Sequence, residues 1–143
     1  MPETYYQKRI YPLQDKVLKK IEAASLDFYL TGGTALGRCY IKHRYSDDLD
    51  FFVNDHKEFK KQCNQAVDLL KRFWNCNIAT ASASFVRIFI EEDGVSLKID
   101  FINDVPVHYG AIEPFPVFHR VDSWRNILSN KLCALSRLEA KDI

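Results

Sequence analysis

Apolar and polar residues recur along the chain with two different spacings. Apolar positions three and four apart predict amphipathic helices, and these are expected at 14–24, 34–41, 56–74 and 123–138, the last with Ser123 as its N-cap. Short apolar runs and strict alternation predict strands, and these are expected at 28–30, 49–53, 84–90 and 95–102. The last two strands flank Asp93-Gly94 and should form a β-hairpin. The prolines and glycine within 103–116 favour an irregular connection.

The order of these elements is helix, strand, helix, strand, helix, hairpin, helix. It predicts an α/β (α+β) protein with a small mixed β-sheet flanked by helices. A doubly wound dinucleotide-binding fold is excluded, because too few strand–helix units are present and no Gly-x-Gly-x-x-Gly occurs. No internal repeat or linker interrupts the chain, so residues 1–143 are expected to form a single domain.

Composition narrows the class of protein without identifying it. With 143 residues, of which 47% are apolar, the chain can enclose one hydrophobic core. The formal net charge of +1 gives no overall footprint for nucleic acid, so an anionic ligand must be held by local positive charge. The four cysteines are far apart and suit neither a zinc site nor a disulfide framework. No signal peptide or membrane-spanning stretch occurs, so we expect a cytoplasmic protein without a membrane partner.

Two aspartates, Asp48 and Asp50, stand two residues apart at the start of the second predicted strand. Residues at that spacing on a strand point to the same side, so the two carboxylates should lie together while Leu49 faces the core. Paired carboxylates repel each other unless a hard cation binds them, and oxygen ligands suit such a cation. A solvated acidic strand end is the other interpretation of these residues alone.

A third carboxylate, Asp100, occupies a polar-face position of the second hairpin strand, between Ile99 and Phe101. A carboxylate within so much apolar surface needs a partner. If its strand lies beside that of Asp48 and Asp50, the three carboxylates could hold the ions of a two-metal phosphoryl-transfer site, which clamp the attacking and leaving oxygens. A simple strand-end charge is the alternative.

A glycine pair followed by a threonine, Gly32-Gly33-Thr34, lies between an apolar strand and a helix. Glycines allow the backbone to approach a ligand closely, and the N-terminus of the following helix favours anions. Thr34 could cap that helix and donate its hydroxyl to a phosphate. An ordinary strand-to-helix turn has the same composition, and a P-loop is excluded because no Gly-Lys-Ser/Thr occurs.

Positive charge recurs at two places after the glycine turn. Lys42, His43 and Arg44 precede Ser46 and could hold a triphosphate or a nucleic-acid backbone, although solvated loop charges fit equally well. Lys131 lies in an apolar context on the last helix, which indicates a fixed anionic partner, either a phosphate or a structural carboxylate. The four histidines show no metal-ligand spacing and receive no role.

Blocks of residues then resemble a known family. The runs Tyr29-Leu30-Thr31-Gly32-Gly33-Thr34-Ala35-Leu36 and Arg44-Tyr45-Ser46-Asp47-Asp48-Leu49-Asp50-Phe51-Phe52 are similar to the AbiEii-like nucleotidyltransferases. These belong to the DNA polymerase β-type superfamily and include toxins of type IV toxin–antitoxin systems. Asn130-Lys131-Leu132-Cys133-Ala134-Leu135, followed by Arg137 and Lys141-Asp142, resembles the family's downstream lysine and Arg…Asp motifs. Members usually continue into a C-terminal helical region, which we expect to be short or absent from this domain.

The resemblance implies a polymerase β-like fold with a catalytic site made of Asp48, Asp50, Asp100 and Lys131. Its three aspartates would bind Mg²⁺ (or Mn²⁺), and Asp100 would help to activate the acceptor hydroxyl. Nucleotide binding is assigned to Gly32, Gly33, Thr34, Arg44, Ser46 and Lys131, and Asp142 would match the later acidic residue.

The implied reaction moves a nucleoside monophosphate from a nucleoside triphosphate to a hydroxyl. The acceptor would be RNA (tRNA by family analogy), a protein or a small molecule, and a protein antitoxin would be a partner. The alternatives are a catalytically impaired nucleotide- or antitoxin-binding domain and an antibiotic-modifying nucleotidyltransferase.

Overall fold

The described part of the chain contains four helices. The computed structural model describes residues 2–42 and 44–142, with side chains over 4–42 and 44–135. Helix α1 comprises an α-helical turn over Pro2–Tyr5, a π-helical turn over Tyr6–Ile10 and a regular stretch over Tyr11–Ala23. Helix α2 continues from Gly32–Ala35 into a π-helical turn over Leu36–Tyr40. Helices α3 and α4 span Phe59–Lys71 and Trp124–Asp142.

A single mixed sheet of seven strands forms the centre of the protein. Its strands are β1 (Tyr29–Thr31), β2 (Leu49–Asn54), β3 (Cys76–Ala81), β4 (Phe85–Glu92), β5 (Val95–Asp104), β6 (Glu113–Phe115) and β7 (Phe118–Val121). They lie side by side in the order β3-β4-β5-β2-β1-β7-β6. The pairs β2–β5 and β1–β7 are parallel, and the other neighbours are antiparallel. This confirms the predicted α/β fold with a mixed sheet.

The hydrophobic core lies between one face of the sheet and the helices α1 and α3. Alternate residues of β2 are buried there, and fully buried aromatic rings fill the space between strands and helices: Phe28, Phe51, Phe59, Phe101 and Phe118. Because strand residues alternate between faces, Asp50 and Phe52 point to the other side of the sheet. Over the described residues, no helix is long and apolar enough to cross a membrane.

Three strands were missed by the sequence prediction, and each lies at or near an edge of the sheet. Strand β3 is almost wholly exposed and has no alternating pattern, while β6 and β7 form a short hairpin within and just after the segment predicted to be irregular. Proline is tolerated at a sheet edge, and Pro114 lies in the edge strand β6. The predicted helices and strands are all present, with ends displaced mostly by one to three residues. Helix α1 is the exception, because it begins 12 residues earlier than predicted.

Candidate active site

Three carboxylates come together on the face of the sheet away from α1 and α3. Asp50 in β2 and Asp100 in β5 are direct partners in the parallel register of these strands. Side chains in such positions lie on the same face, about 5 Å apart. Asp100 is only 4% exposed, and Asp48 lies near enough for its charge to act on Asp50. The structure thus brings together the acids that the sequence singled out.

Two of these carboxylates are paired with cations that the sequence analysis did not assign. Arg87 of β4 binds Asp100 with two parallel bonds, from Nε to Oδ1 at 2.9 Å and from Nη2 to Oδ2 at 3.0 Å. Lys98 Nζ lies 3.1 Å from Asp48 Oδ2. Alternation places both on the face of Asp100, because Lys98 stands two residues before Asp100 and Arg87 is directly opposite it in the hairpin, but alternation does not show that either cation is paired.

Asp50 is different, because no described side chain donates a hydrogen bond to its carboxylate or forms an ion pair with it. Burial raises the pKa of Asp50 to about 6, and the negative charges of Asp100 and Asp48 add to the rise. Burial and like charges both disfavour the ionised form, so this carboxylate favours a proton or a cation at its oxygens.

The carboxylates suit a divalent cation by their chemistry, since Mg²⁺ and Mn²⁺ bind carboxylate oxygens. Within the described ranges, however, no three acidic, histidine or cysteine side chains are arranged as a metal-holding group. The predicted three-aspartate ligand set is therefore not preassembled. The physical reason is that Asp48 and Asp100 face Lys98 and Arg87, which leaves Asp50 as the carboxylate open to an ion.

The raised pKa of Asp50 predicts a pH dependence of stability in metal-free protein. The ordinary pKa of 3.8 rises to about 6 in the folded state. The stabilising contribution of Asp50 to the free energy of unfolding is therefore fully present below about pH 4 and is lost as the pH rises through about 6. At about 1.36 kcal/mol per pKa unit, the loss is roughly 3 kcal/mol. In EDTA, the free energy of unfolding of Asp50→Asn should therefore increase relative to that of wild type by this amount between about pH 4 and about pH 7. Urea denaturation measures it, and a constant difference across this range would contradict the prediction.

The glycine turn presses directly against this carboxylate. Gly32 has φ +74°, and a Cβ atom there would lie 2.2 Å from Asp50 Oδ2. A Cβ at Gly33 would lie 2.9 Å from Ser46 Oγ. The backbone at these glycines does approach another group closely, as expected. That group is the protein's own acidic segment.

Replacing Gly32 by alanine should therefore displace Asp50 in addition to straining the backbone. Gly94 provides the matched control, since its φ is +79° but a Cβ there would meet only Arg9 Nη2 at 3.9 Å. A left-handed conformation costs an alanine about 1–2 kcal/mol, which both Gly32→Ala and Gly94→Ala should show in urea denaturation. Only Gly32→Ala should also displace Asp50, and so lose nucleotide and metal binding in calorimetric titrations. Equal ligand binding by the two variants would contradict this account.

Thr34 holds the acidic segment in place. It is fully buried, and its hydroxyl donates to the carbonyl oxygen of Asp48. The helix begins at Gly32 with Thr31 as its N-cap, so the expectation that Thr34 caps the helix is wrong. Its hydroxyl is used inside the protein, where it helps to position the acid pair.

Gln14 of α1 supports the same segment from the core side and was missed by the sequence analysis. It is fully buried, and its Nε2 donates to the carbonyl oxygens of Ser46 and Asp47, each at 3.1 Å. Arg38 in turn donates to Gln14 Oε1 at 3.3 Å. The available signal was a polar residue on the apolar face of α1, in line with Val17, Leu18 and Ile21.

A cavity of about 270 Å³ opens beside Asp50, with the glycine turn and Lys131 in its wall. Burial lowers the pKa of Lys131, as does the nearby charge of Arg44, while Asp50 opposes the change. A lysine facing an acid across a cavity suits a ligand that carries both phosphate oxygens and a bound cation.

The other predicted binding residues lie around this cavity or outside the described region. The side chain of Arg44 is exposed, and Ser46 lies beside Gly33. His43 lies outside the described residues. So do the side chains of Arg137, Lys141 and Asp142.

A buried hydrogen-bond network fixes the strand end from which the glycine turn starts. Asp122 is fully buried and accepts from Thr31 Oγ1 at 2.7 Å and Asn126 Nδ2 at 2.8 Å. His108 Nε2 lies 2.6 Å from its other oxygen. The network connects β1 to the start of α4, where Ser123 is the N-cap as predicted, accepting from the amide of Asn126. No pattern in the sequence set Asp122 apart from a solvated acid.

Two solved structures have a fold similar to that of this chain. One is a Helicobacter pylori protein described as a nucleotidyltransferase, with a TM-score of 0.65 and 19% identity over 88% of this chain and 59% of that chain. The other is JHP933 from Helicobacter pylori, with a TM-score of 0.66 and 20% identity over 89% of this chain and 58% of that chain. At such identities the likeness defines the class of fold.

The family follows from the sequence. Residues 16–143 match the family described as "Nucleotidyl transferase AbiEii toxin, Type IV TA system", and the chain therefore belongs to that family. It is also 42% identical over 62 residues to the uncharacterized protein aq_aa25 of Aquifex aeolicus (strain VF5), a match that covers 41% of this chain and 30% of that protein. The chain spans less than two thirds of the length of each of these three relatives.

Proposed function

We propose that this chain transfers a nucleoside monophosphate from a nucleoside triphosphate to a hydroxyl acceptor, with Mg²⁺ (or Mn²⁺) as cofactor. One observation carries the proposal: the carboxylate of Asp50, which has no ion pair among the described side chains, lies in register with Asp100, against the Gly32 turn and beside the cavity that Lys131 lines. Family membership and fold support the same reaction class.

In the proposed reaction, the acceptor hydroxyl oxygen forms a bond to the α-phosphorus. The bond from that phosphorus to the oxygen bridging to the β-phosphate breaks, pyrophosphate leaves, and the hydroxyl proton passes to a carboxylate or to water. A divalent cation held by Asp50, with Asp48 and Asp100, would neutralise the charge of the phosphates. Lys131 contributes a positive charge from the wall of the cavity, and the glycine turn packs against Asp50.

The proposal extends to the acceptor and to the partner. By analogy with the family, the acceptor would be an RNA 3′ end, as in tRNA, ahead of a protein or a small molecule such as an antibiotic. The exposed Arg44 and Lys42 near the acidic segment suit a phosphate backbone. A protein antitoxin would be the cellular partner, in the cytoplasm.

A catalytically impaired nucleotide- or antitoxin-binding domain is the second candidate. The observation that favours it is the pairing of Asp48 and Asp100 with cations, which leaves the ligand set incomplete. Both candidates predict nucleotide binding, but only the enzyme produces pyrophosphate.

The test uses α-labelled triphosphates, total RNA, Mg²⁺ or Mn²⁺, and the purified chain beside Asp48→Ala. We expect label to enter RNA with wild type alone and only when metal is present. Binding of triphosphate without labelling or pyrophosphate release under any metal would support the impaired domain. An Asp48→Ala variant that labels as well as wild type would show that the site is wrongly assigned.

A further inference from the structure

The arginine paired with Asp100 has no role in the function proposed so far. Arg87 makes two hydrogen bonds to this carboxylate, at 2.9 and 3.0 Å. A bidentate arginine uses both oxygens of its partner and is among the stronger polar contacts in proteins. Asp100 is nearly buried, whereas the Arg87 side chain remains 35% exposed. The arginine is therefore the member of the pair that is free to move.

We propose that Arg87 is a built-in counterion that competes with the divalent cation for Asp100 and sets the metal affinity of the site. The inference rests on the proposed function, since it assumes that Asp100 is a metal ligand. Without a metal, three carboxylates would repel one another on one face of the sheet, and Arg87 and Lys98 offset two of the three negative charges. An entering cation must then take over oxygens that the arginine holds.

The guanidinium has a second partner in the structure besides Asp100. The Arg87 Cζ atom lies 5.2 Å from the ring centroid of Phe85, two residues earlier on the same face of β4. Cation–π attraction to this ring can retain the arginine after it releases the carboxylate. The displaced arginine then remains beside the site, where it is available to an anionic substrate.

The test is a titration with Mn²⁺, followed by calorimetry and by the electron paramagnetic resonance of free Mn²⁺. An opposite charge nearby changes the proton affinity of a carboxylate by about tenfold to a thousandfold, and the partial exposure of Arg87 places its effect at the lower end. Arg87→Met should therefore bind Mn²⁺ about tenfold more tightly than wild type. Arg87→Lys, which keeps the charge but cannot form the two parallel bonds, should show a smaller gain.

Two further variants separate the outcomes. Arg72→Met removes an exposed arginine remote from the site and should leave the affinity unchanged. Asp50→Asn should abolish the binding. If Arg87→Met does not fold, as judged by circular dichroism, the comparison of Arg87→Lys with wild type decides the question.

Unchanged or weaker Mn²⁺ binding by the Arg87 variants, with wild-type binding still dependent on Asp50, overturns this inference and leaves the proposed function intact. Wild type that shows no Asp50-dependent binding overturns both. Tighter binding by Arg87→Met, with no change in Arg72→Met, supports the competition.

Discussion

Asp50→Asn should lower the rate of nucleotidyl transfer by at least about a thousandfold while leaving the protein folded. Asp50 is the carboxylate of the site that has no ion pair with a described side chain, and removal of a ligand from a metal-dependent site costs several kcal/mol of transition-state stabilisation, with about 1.36 kcal/mol for each factor of ten. The amide has nearly the same shape as the carboxylate and carries no charge, so its burial does not harm the fold. Single-turnover transfer measurements at saturating Mg²⁺ give the rate.

Asp47→Asn is the matched control for this variant. Asp47 lies in the same acidic segment but is exposed, and it is the side-chain hydrogen-bond partner of Tyr6, whose pKa it helps to raise to about 12. Its neutralisation should change the transfer rate by no more than about threefold, since surface changes away from a site alter energies by about 0.5 kcal/mol. A comparable loss in both variants would indicate that general negative charge, and not the position of Asp50, supports the reaction.

Asp122→Ala should have the largest effect on stability of any single substitution considered. The fully buried carboxylate joins Thr31, His108 and Asn126, and its removal takes the acceptor away from the buried Thr31 hydroxyl and Asn126 Nδ2 and breaks the contact with His108. Breaking a buried, hydrogen-bonded pair costs about 3–5 kcal/mol, which for a chain of this size lowers the melting temperature by about 10 °C. Thermal unfolding followed by circular dichroism measures the change.

Two comparisons make the Asp122 result interpretable. Asp122→Asn keeps an acceptor oxygen for one of the donors and should lie between wild type and Asp122→Ala. Glu91→Ala alters an exposed acid on β4 and should change the free energy of unfolding by less than about 0.5 kcal/mol. A cost below about 1 kcal/mol for Asp122→Ala would mean that the network does not hold β1 to α4.

The central strands and helices were predictable because their residues alternate between a core and a solvent environment. The edge strands were not, since β3 is exposed on both faces and β6 contains a proline. For the site, strand spacing predicted that Asp48 and Asp50 would share a face, with Asp100 beside them if the two strands were neighbours. The pairing of β2 with β5, whose register partners lie 50 positions apart in the sequence, could only be assumed.

The partners of the acids were harder to foresee than the acids themselves. Lys98 and Arg87 stood in the alternating pattern of the hairpin, but a charge on a polar face has no signature that distinguishes a paired cation from a solvated one. Thr34 is a case in which the sequence misplaced a role. Its place after a glycine pair suggested a helix cap, whereas the helix begins earlier, with Thr31 as its N-cap, and the Thr34 hydroxyl donates to the carbonyl oxygen of Asp48.

The most direct test of nucleotidyl transfer compares a triphosphate labelled at the α-phosphate with the same triphosphate labelled at the γ-phosphate. With wild type and Mg²⁺, we predict that α-label enters the acceptor, that γ-label is released as pyrophosphate, and that one pyrophosphate forms for each label transferred. Asp50→Asn should do neither. Transfer of γ-label to the acceptor, or undiminished α-label transfer by Asp50→Asn, would contradict the account.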